Sequence, residues 1–275
     1  MLEQVSPITV LASRHGTARA AAVVFPLDTR VIRRRDAVGA EVATTARLLH
    51  LLPICPAAVL MVSPGVGITD VLDEMIRVSC GMLESDADAT LTVGVACPRP
   101  VPPGTAGGMA MYNVGLDALP EAILESVAVG RRCGHVTDGG AVVLLLQRFA
   151  APTASALVHV QLDRAQPVRI DGRWGLIEAE PLEVSSDTFE VLVEDEVRER
   201  LGAKPTASVT APGGTRTVSL PESLHHRHSL SRQAVRQLAS MARASATAVG
   251  RALSLDVAMF DDEPVVLRCR PAVWT

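Results

Sequence analysis

Residues 231–271 read SRQAVRQLASMARASATAVGRALSLDVAMFDDEPVVLRCRP. Ser231 carries a hydroxyl suited to capping the free amides at a helix start. Apolar residues follow at Val235, Leu238, Ala242 and Val249, which fall on one stripe of a helix. Gly250 then supplies the left-handed residue that commonly ends one. Val265 to Leu267 reads as a strand. This long amphipathic helix stands among short strands and turn signals, with no regular strand–helix–strand spacing, so the expected fold class is α+β.

Working outward, the preceding segment is rich in strand and turn signals. Ala141 to Leu146 and Ala156 to Leu162 are apolar runs of strand length. Asp171-Gly172 predicts a hairpin over Arg169 to Gly175, and Pro212-Gly213-Gly214 predicts another over Ser208 to Leu220. In the amino-terminal half, strands are expected at Ala22 to Leu27, Ala57 to Val62 and Thr90 to Ala96. Helices are expected at Glu41 to Leu52, Thr69 to Leu83 and Leu116 to Val129. Asp70 and Asp73 fall in the first turn of the second helix, where the helix dipole favours anions. Pro120 sits early in the third, where proline is tolerated. Pro98 to Gly108 reads as a loop dense in Pro and Gly. The expected organisation is an extension over 1–21 and two lobes, 22–150 and 151–275, with no internal repeat.

Composition narrows the function. The chain has 275 residues, 48% hydrophobic and 20% charged, with a mean hydropathy of +0.27, which excludes a disordered polymer. A net charge of −4 and 3% aromatic residues leave neither a basic footprint nor a stacking platform for nucleic acid. The five cysteines, Cys55, Cys80, Cys97, Cys133 and Cys269, form no C-x-x-C pair. With no signal peptide read at the amino terminus, a reducing, cytoplasmic location is the expectation. Leu48 to Ile68 carries no charge but contains Pro53, Pro56 and Pro64, so a helix, turn and buried strand are expected rather than a membrane span. Lys204 is the only lysine; every other Lys/Arg position is arginine.

Five fragments occur in order along the carboxy-terminal half: Trp174-Gly175-Leu176-Ile177-Glu178, Ser186-Asp187-Thr188-Phe189, Leu201-Gly202-Ala203-Lys204, Ser254-Leu255-Asp256 and Leu267-Arg268-Cys269-Arg270-Pro271. Their order and spacing resemble the ATP-grasp nucleotide-binding domain of phosphoenolpyruvate synthase, pyruvate phosphate dikinase and rifampicin phosphotransferase. Those proteins carry W-G-L-G-E, P-D-T-F, I-G-x-K, D-I-E-W and L-Q-x-R-P. Leu52-Pro53-Ile54-Cys55-Pro56, Asn113-Val114-Gly115-Leu116 and Leu146-Gln147-Arg148-Phe149 resemble further patterns of the same family, so the resemblance covers residues 22–275. It implies a two-lobed ATP-grasp-like fold. It also implies ATP and Mg²⁺ as cofactors, with adenine at Gln147, Arg148 and Phe149, and phosphates under a glycine lid that includes Gly107 and Gly108. Phosphate or metal contacts are implied at Arg268 and Arg270, a metal ligand at Asp256, and catalytic roles at Arg270 and Glu178.

The departures from that family are specific. The helix before Leu52 should open with G-G-K, whose lysine contacts phosphates, but here the residues are Gly39-Ala40-Glu41. The strand at Leu91 to Ala96 should lead into R-S-S-A, but the sequence is Gly94-Val95-Ala96-Cys97. Asp256 stands for a glutamate and Arg268 for a glutamine. One preorganised charge contact is worth ~3 kcal/mol of transition-state stabilisation, so losing two cations implies a poor kinase. The family also passes phosphate to a histidine on another domain, which these 275 residues do not include. The leading expectation is therefore an impaired accessory or regulatory subunit that docks on another protein and binds ATP weakly. The alternatives are the ATP-binding part of a split phosphotransferase or ligase, and a purely structural interaction module. His225-His226-Arg227-His228 has poor ligand spacing and reads as a solvated loop. Lys204 reads as a structural ion-pair or surface residue, and Trp174 as core.

Overall fold

The computed structural model describes residues 9–12, 21–28, 32, 38–86, 88–100, 110–176 and 186–273. They fall into two units: the described residues of Met1–Ala46, Pro56–Pro98 and Gly108–Ala150, and those of Arg47–Cys55, Arg99–Gly107 and Ala151–Thr275.

The first unit is built on six antiparallel strands in the order β1-β2-β3-β6-β4-β5. They are β1 (Thr9–Ala12), β2 (Ala21–Pro26), β3 (Ala57–Val62), β4 (Thr90–Val95), β5 (Ala110–Gly115) and β6 (Val142–Arg148). The central pair, AAVLMV and VVLLLQR, is apolar at nearly every position because both faces are covered. Leu60 and Leu144 point into a core with Met75 and Ile123, contributed by α2 (Leu72–Met82) and α3 (Leu119–Arg132). Val59 and Leu145, on the opposite face, are also fully buried. α1 (Ala40–Leu48) begins in this unit, and its first turns bury Val42 and Thr45.

The second unit holds another antiparallel sheet, ordered β10-β9-β8-β7-β13-β14. Its strands are β7 (Ala154–Val160), β8 (Val168–Trp174), β9 (Asp187–Val191), β10 (Val197–Arg200), β13 (Leu253–Phe260) and β14 (Glu263–Pro271). A separate hairpin pairs β11 (Thr206–Ala211) with β12 (Gly214–Ser219), as the Pro-Gly-Gly turn predicts. A short helix α4 (Glu222–His225) precedes α5 (Arg232–Val249). α5 starts and stops where its sequence predicts. The Ser231 hydroxyl accepts a 3.1 Å bond from the Ala234 amide, and Gly250 adopts φ +74°. Val235, Leu238 and Ala242 pack on Val158, Ile170, Phe189 and Leu255 of the sheet.

Two readings of the sequence need correction. Arg169 to Gly175 is not a hairpin: Val168–Trp174 is one continuous strand, paired with β7 on one side and β9 on the other. Gly172 serves close packing instead of a turn, because a Cβ there would lie 2.9 Å from both Leu230 Cδ1 and Ser229 Oγ. Thr9–Ala12, inside the expected extension, forms β1 and pairs with β2. Strands β5, β9, β10 and β13 went unread, and β14 is much longer than Val265 to Leu267. Leu48 to Ile68 contains a helix end and β3, and no helix among the described residues is long and apolar enough to cross a membrane.

Gly172→Val separates two opposing effects. Valine has the better strand propensity, worth up to about 1 kcal/mol, whereas overpacking costs about 1–3 kcal/mol. The variant is expected to lose stability in urea unfolding. An unchanged or raised midpoint would show that Leu230 gives way freely.

Candidate functional site

The sheet of the second unit is apolar on one face only. Alternate residues Ala154, Ala156, Val158, Leu253, Leu255 and Val257 join the α5 core, so the residues between them lie on the other face. On β14 this alternation is broken. Val266 and Cys269 are both core residues although three positions separate them. Asp256 pairs with Arg268 while Val257 pairs with Val266, so Leu267 is an extra residue at a bulge. Regular alternation from Val266 would send Arg268 and Arg270 into the core; the bulge turns both onto the polar face. Pro53 and Cys55 hold the strand beside the bulge: the Val266 amide donates to Pro53 O and the Cys55 amide donates to Val266 O, each at 2.9 Å.

The register lines up polar residues in rows. One row crosses the strands as Arg198, Glu190, Arg169, His159, Ser254 and Arg270. The next runs Arg200, Thr188, Asp171, Leu157, Asp256 and Arg268. Arg270 reaches diagonally to ion-pair with Asp256. Arg169 donates to Asp171 Oδ2 at 3.1 Å, and the Thr188 hydroxyl reaches Asp171 Oδ1 at 3.3 Å. His159 Nδ1 and the Ser254 hydroxyl are 2.8 Å apart. Burial pushes the His159 pKa below its ordinary value, outweighing the attraction of Asp171 for the imidazolium. Arg268 and Arg270 are only 4% and 2% exposed, whereas the Asp256 side chain keeps 24% of its surface.

Asp256, the expected metal ligand, and Arg268 and Arg270, the expected phosphate contacts, thus meet on neighbouring strands. As a donor set for Mg²⁺ the arrangement fits poorly. Mg²⁺ is held by one or two carboxylates with water and substrate oxygens. The carboxylate here is ion-paired to one guanidinium and faces a second across the strand pair. No group of three His, Cys, Asp or Glu side chains suited to a metal occurs among the described residues. Guanidinium groups bind anions instead, by paired donors on phosphate or carboxylate oxygens. Glu178, Gly107 and Gly108 lie outside the described residues.

Gln147, Arg148 and Phe149 belong to the first unit. Gln147 is buried at the end of β6, between Ala57 and Thr92. Arg148 is exposed, and the Phe149 ring lies 6.3 Å from that of Tyr112 at a tilted angle. In the same unit, the start of α1 is closed by backbone bonds. The Ala40 amide donates to Pro98 O at 2.8 Å and the Glu41 amide to Cys97 O at 3.2 Å. The Glu41 carboxylate is fully buried and accepts the Cys97 amide at 2.7 Å. Gly39, at φ +82°, lets the chain pass Pro98, whose Cα would lie 2.7 Å from an added Cβ. The helix end and the side chain that would face an anion are therefore bonded to the chain itself.

The sequence reading passed over a buried hub on the α5 side of the second sheet. Asp187 is completely buried and ion-pairs with Lys204, itself 2% exposed. Its carboxylate also accepts the Gly202 amide at 2.9 Å, the Ser229 amide at 2.7 Å and the Ser229 hydroxyl at 2.8 Å. Lys204 donates again to Gly202 O at 3.1 Å. Burial alone would raise the Asp187 pKa; the Lys204 ammonium and these donors outweigh it and hold the carboxyl below its ordinary range. His228 Nδ1 stands 3.7 Å from Asp187, and its ring lies 5.2 Å from that of Phe189. Nε2 of His225 bonds Leu220 O at 3.0 Å. The fragments around Asp187 and Lys204 were legible; their meeting with Ser229, 42 residues from Asp187, was not.

No family model matches the sequence, and no curated protein matches it. Among solved structures, the chain is similar to D-alanine–D-alanine ligase from Bacillus anthracis, with a TM-score of 0.39 and 8% identity over 85% of this chain and 56% of the ligase chain. The same ligase complexed with ATP gives 0.36 and 9% identity over 87% of this chain and 56% of the other. This chain therefore matches little more than half the length of those ligase chains. A likeness of that size carries no argument about chemistry.

Two outcomes test this geometry. Lys204→Met is expected to cost about 3–5 kcal/mol in urea unfolding at pH 7, because it strands a buried carboxylate. A depressed carboxyl stabilises the fold above its ordinary pKa of 3.8 and ceases to do so as pH falls through its folded value. The cost of the variant should therefore shrink in acid; a loss under about 1 kcal/mol would show that the amides alone suffice. His159 works with the same sign. The unfolded chain takes up its proton near pH 6.5 while the fold resists, so stability falls as pH drops below that value. His159→Asn should flatten the fall between pH 6.5 and 5, and an unaltered slope would assign it to other groups.

Proposed function

We propose that this chain is a divergent ATP-grasp domain of the phosphoenolpyruvate synthase type that binds ATP weakly, does not transfer phosphate on its own, and serves as an accessory or regulatory subunit of another protein. The observation that carries the reading is Glu41. At the position where the resembled family has a phosphate-gripping lysine, the chain has a carboxylate, fully buried and bonded to the Cys97 amide. Phosphoryl transfer depends on positive charge preorganised around the moving group. A buried carboxylate in that role opposes it, and the first amides of α1 are bonded to Cys97 and Pro98.

What supports retained anion binding is the second unit, where Arg268 and Arg270 stand on one polar sheet face. A guanidinium keeps its charge at any working pH and neither takes nor gives a proton. It can hold and orient an anion without acting as an acid or base.

Thermal unfolding with ATP tests both halves. At ten times the dissociation constant, binding adds about 1.4 kcal/mol, a rise of a few degrees in Tm. The expected result is such a rise at millimolar ATP without release of ADP, AMP or phosphate above the uncatalysed rate. Turnover by the isolated chain would overturn the impaired reading; no shift at millimolar ATP would overturn nucleotide binding.

A further inference from the structure

We infer that Asp138-Gly139 is a site of spontaneous covalent modification, at which the Gly139 amide nitrogen closes on the Asp138 side chain and converts the aspartate to isoaspartate. The inference is independent of the nucleotide reading above. The dipeptide Asp-Gly occurs twice in the chain, at Asp138-Gly139 and at Asp171-Gly172, and the fold gives the two opposite surroundings. Asp138 and Gly139 form the tip of the turn between α3 and β6, and both are exposed. Thr137 and Ala141 close the turn beneath them. The Thr137 amide donates to Ala141 O at 2.9 Å, the Gly140 amide to Thr137 O at 2.8 Å, and the Ala141 amide to Thr137 Oγ1 at 3.2 Å. Gly140, at φ +76°, is the left-handed residue that ends a three-residue turn of this kind. These bonds pass over the Gly139 amide, and among the described residues no hydrogen bond engages it. The space beside it is open: the nearest atom to an added Cβ is Thr137 Oγ1 at 3.9 Å.

The step needs no reagent but water. The Gly139 nitrogen bonds Asp138 Cγ, and the amide proton leaves with the carboxyl hydroxyl as water, giving a five-membered cyclic imide. Glycine favours this closure because no Cβ hinders the approach of its nitrogen, and an exposed turn tip can rotate into the ring. Water then reopens the imide. Addition at Cγ restores aspartate; addition at the main-chain carbonyl leaves the chain running through Asp138 Cβ and Cγ, with the former main-chain carbonyl now a side carboxylate. Asp171-Gly172 is held from the same step. Both residues lie inside β8, paired with Leu157 and Ala156 of β7 on one side and with Thr188 and Asp187 of β9 on the other. The Asp171 carboxylate accepts Arg169 and the Thr188 hydroxyl, and Gly172 is packed under Leu230. Ring closure there requires the strand to leave the sheet. At Asp138 the product lengthens the main chain between Thr137 and Gly140 by one atom, which works against the 2.8 Å bond that closes the turn.

The test is incubation of the intact chain in ¹⁸O-labelled water at neutral pH, followed by digestion in ordinary water and mass spectrometry. Every passage through the imide installs one ¹⁸O in the aspartate, whichever way the ring reopens. Cleavage after arginine separates the two sites into Cys133–Arg148 and Ile170–Arg173, each with a single aspartate. In the folded chain, label and isoaspartate are expected to accumulate at Asp138 many times faster than at Asp171. In urea the two sites should label at similar rates, because the fold and not the dipeptide sets the difference. Gly139→Ala, in which the added methyl meets open space, should fold normally and slow labelling at Asp138 several-fold. Equal rates at the two sites of the folded chain overturn the inference. So does an Asp138 that stays unlabelled while the unfolded chain labels, or labelling there that Gly139→Ala leaves unchanged.

Discussion

One extra residue in β14 decides which face of the second sheet carries Arg268 and Arg270. Leu267 lies outside the pairing with β13, and the strand on either side of it is out of phase. The core half keeps Val266 and Cys269 against α5. The polar half receives Arg268 and Arg270. A bulge is held only if its neighbours are fixed, and here Val266 is fixed from both sides. It pairs with Val257 on β13 and exchanges two backbone bonds with Pro53 and Cys55 on the other edge. The Leu-Pro-Ile-Cys-Pro segment therefore does more than leave a helix: it clamps the residue next to the bulge.

The same unit divides its charges between two faces with different duties. On the α5 side, Asp187 and Lys204 are buried together with the Gly202 and Ser229 donors, joining β9, the Gly202–Lys204 segment and the approach to α5. Breaking such a pair is costly, whereas keeping it adds little over an apolar core, so its role is to specify how those segments meet. The chain has one lysine, and it sits in this hub. Positive charge on the polar face is therefore supplied by guanidinium, which binds anions and does not exchange protons.

Much of the fold was legible where one element's own residues sufficed. Ser231 and Gly250 bracket α5 without help from elsewhere. β3 is apolar throughout because both of its faces are covered. The misreadings occur where tertiary contacts reassign a local signal. Asp171-Gly172 is a strong turn dipeptide, but Gly172 is needed under Leu230, so the strand runs straight through. β13 alternates Leu253, Leu255, Val257 and Met259 with Ser254, Asp256 and Ala258; its pattern is clear once its partners are known and brief without them. For the candidate site, the sequence named Asp256, Arg268 and Arg270 but not their geometry. The bulge leaves no mark in composition, and His159 was passed over because its partner Ser254 is 95 residues away.

Set against the family that the sequence resembles, Glu41 and Arg268 bear on different stages of the proposed nucleotide chemistry. Ground-state binding is less demanding, since it needs only net attraction, and under the proposed function Arg268 and Arg270 would contribute to it. Transfer needs interactions stronger with the moving phosphoryl group than with the resting one. That demands cations placed for the transition state, and a buried carboxylate at Glu41 is the reverse. Where the resembled family's patterns have a neutral glutamine and a cationic lysine, this sequence has Arg268 and Glu41, which differ from those patterns in opposite directions of charge. Glu41 works for the fold: its carboxylate accepts the Cys97 amide just beyond the end of β4.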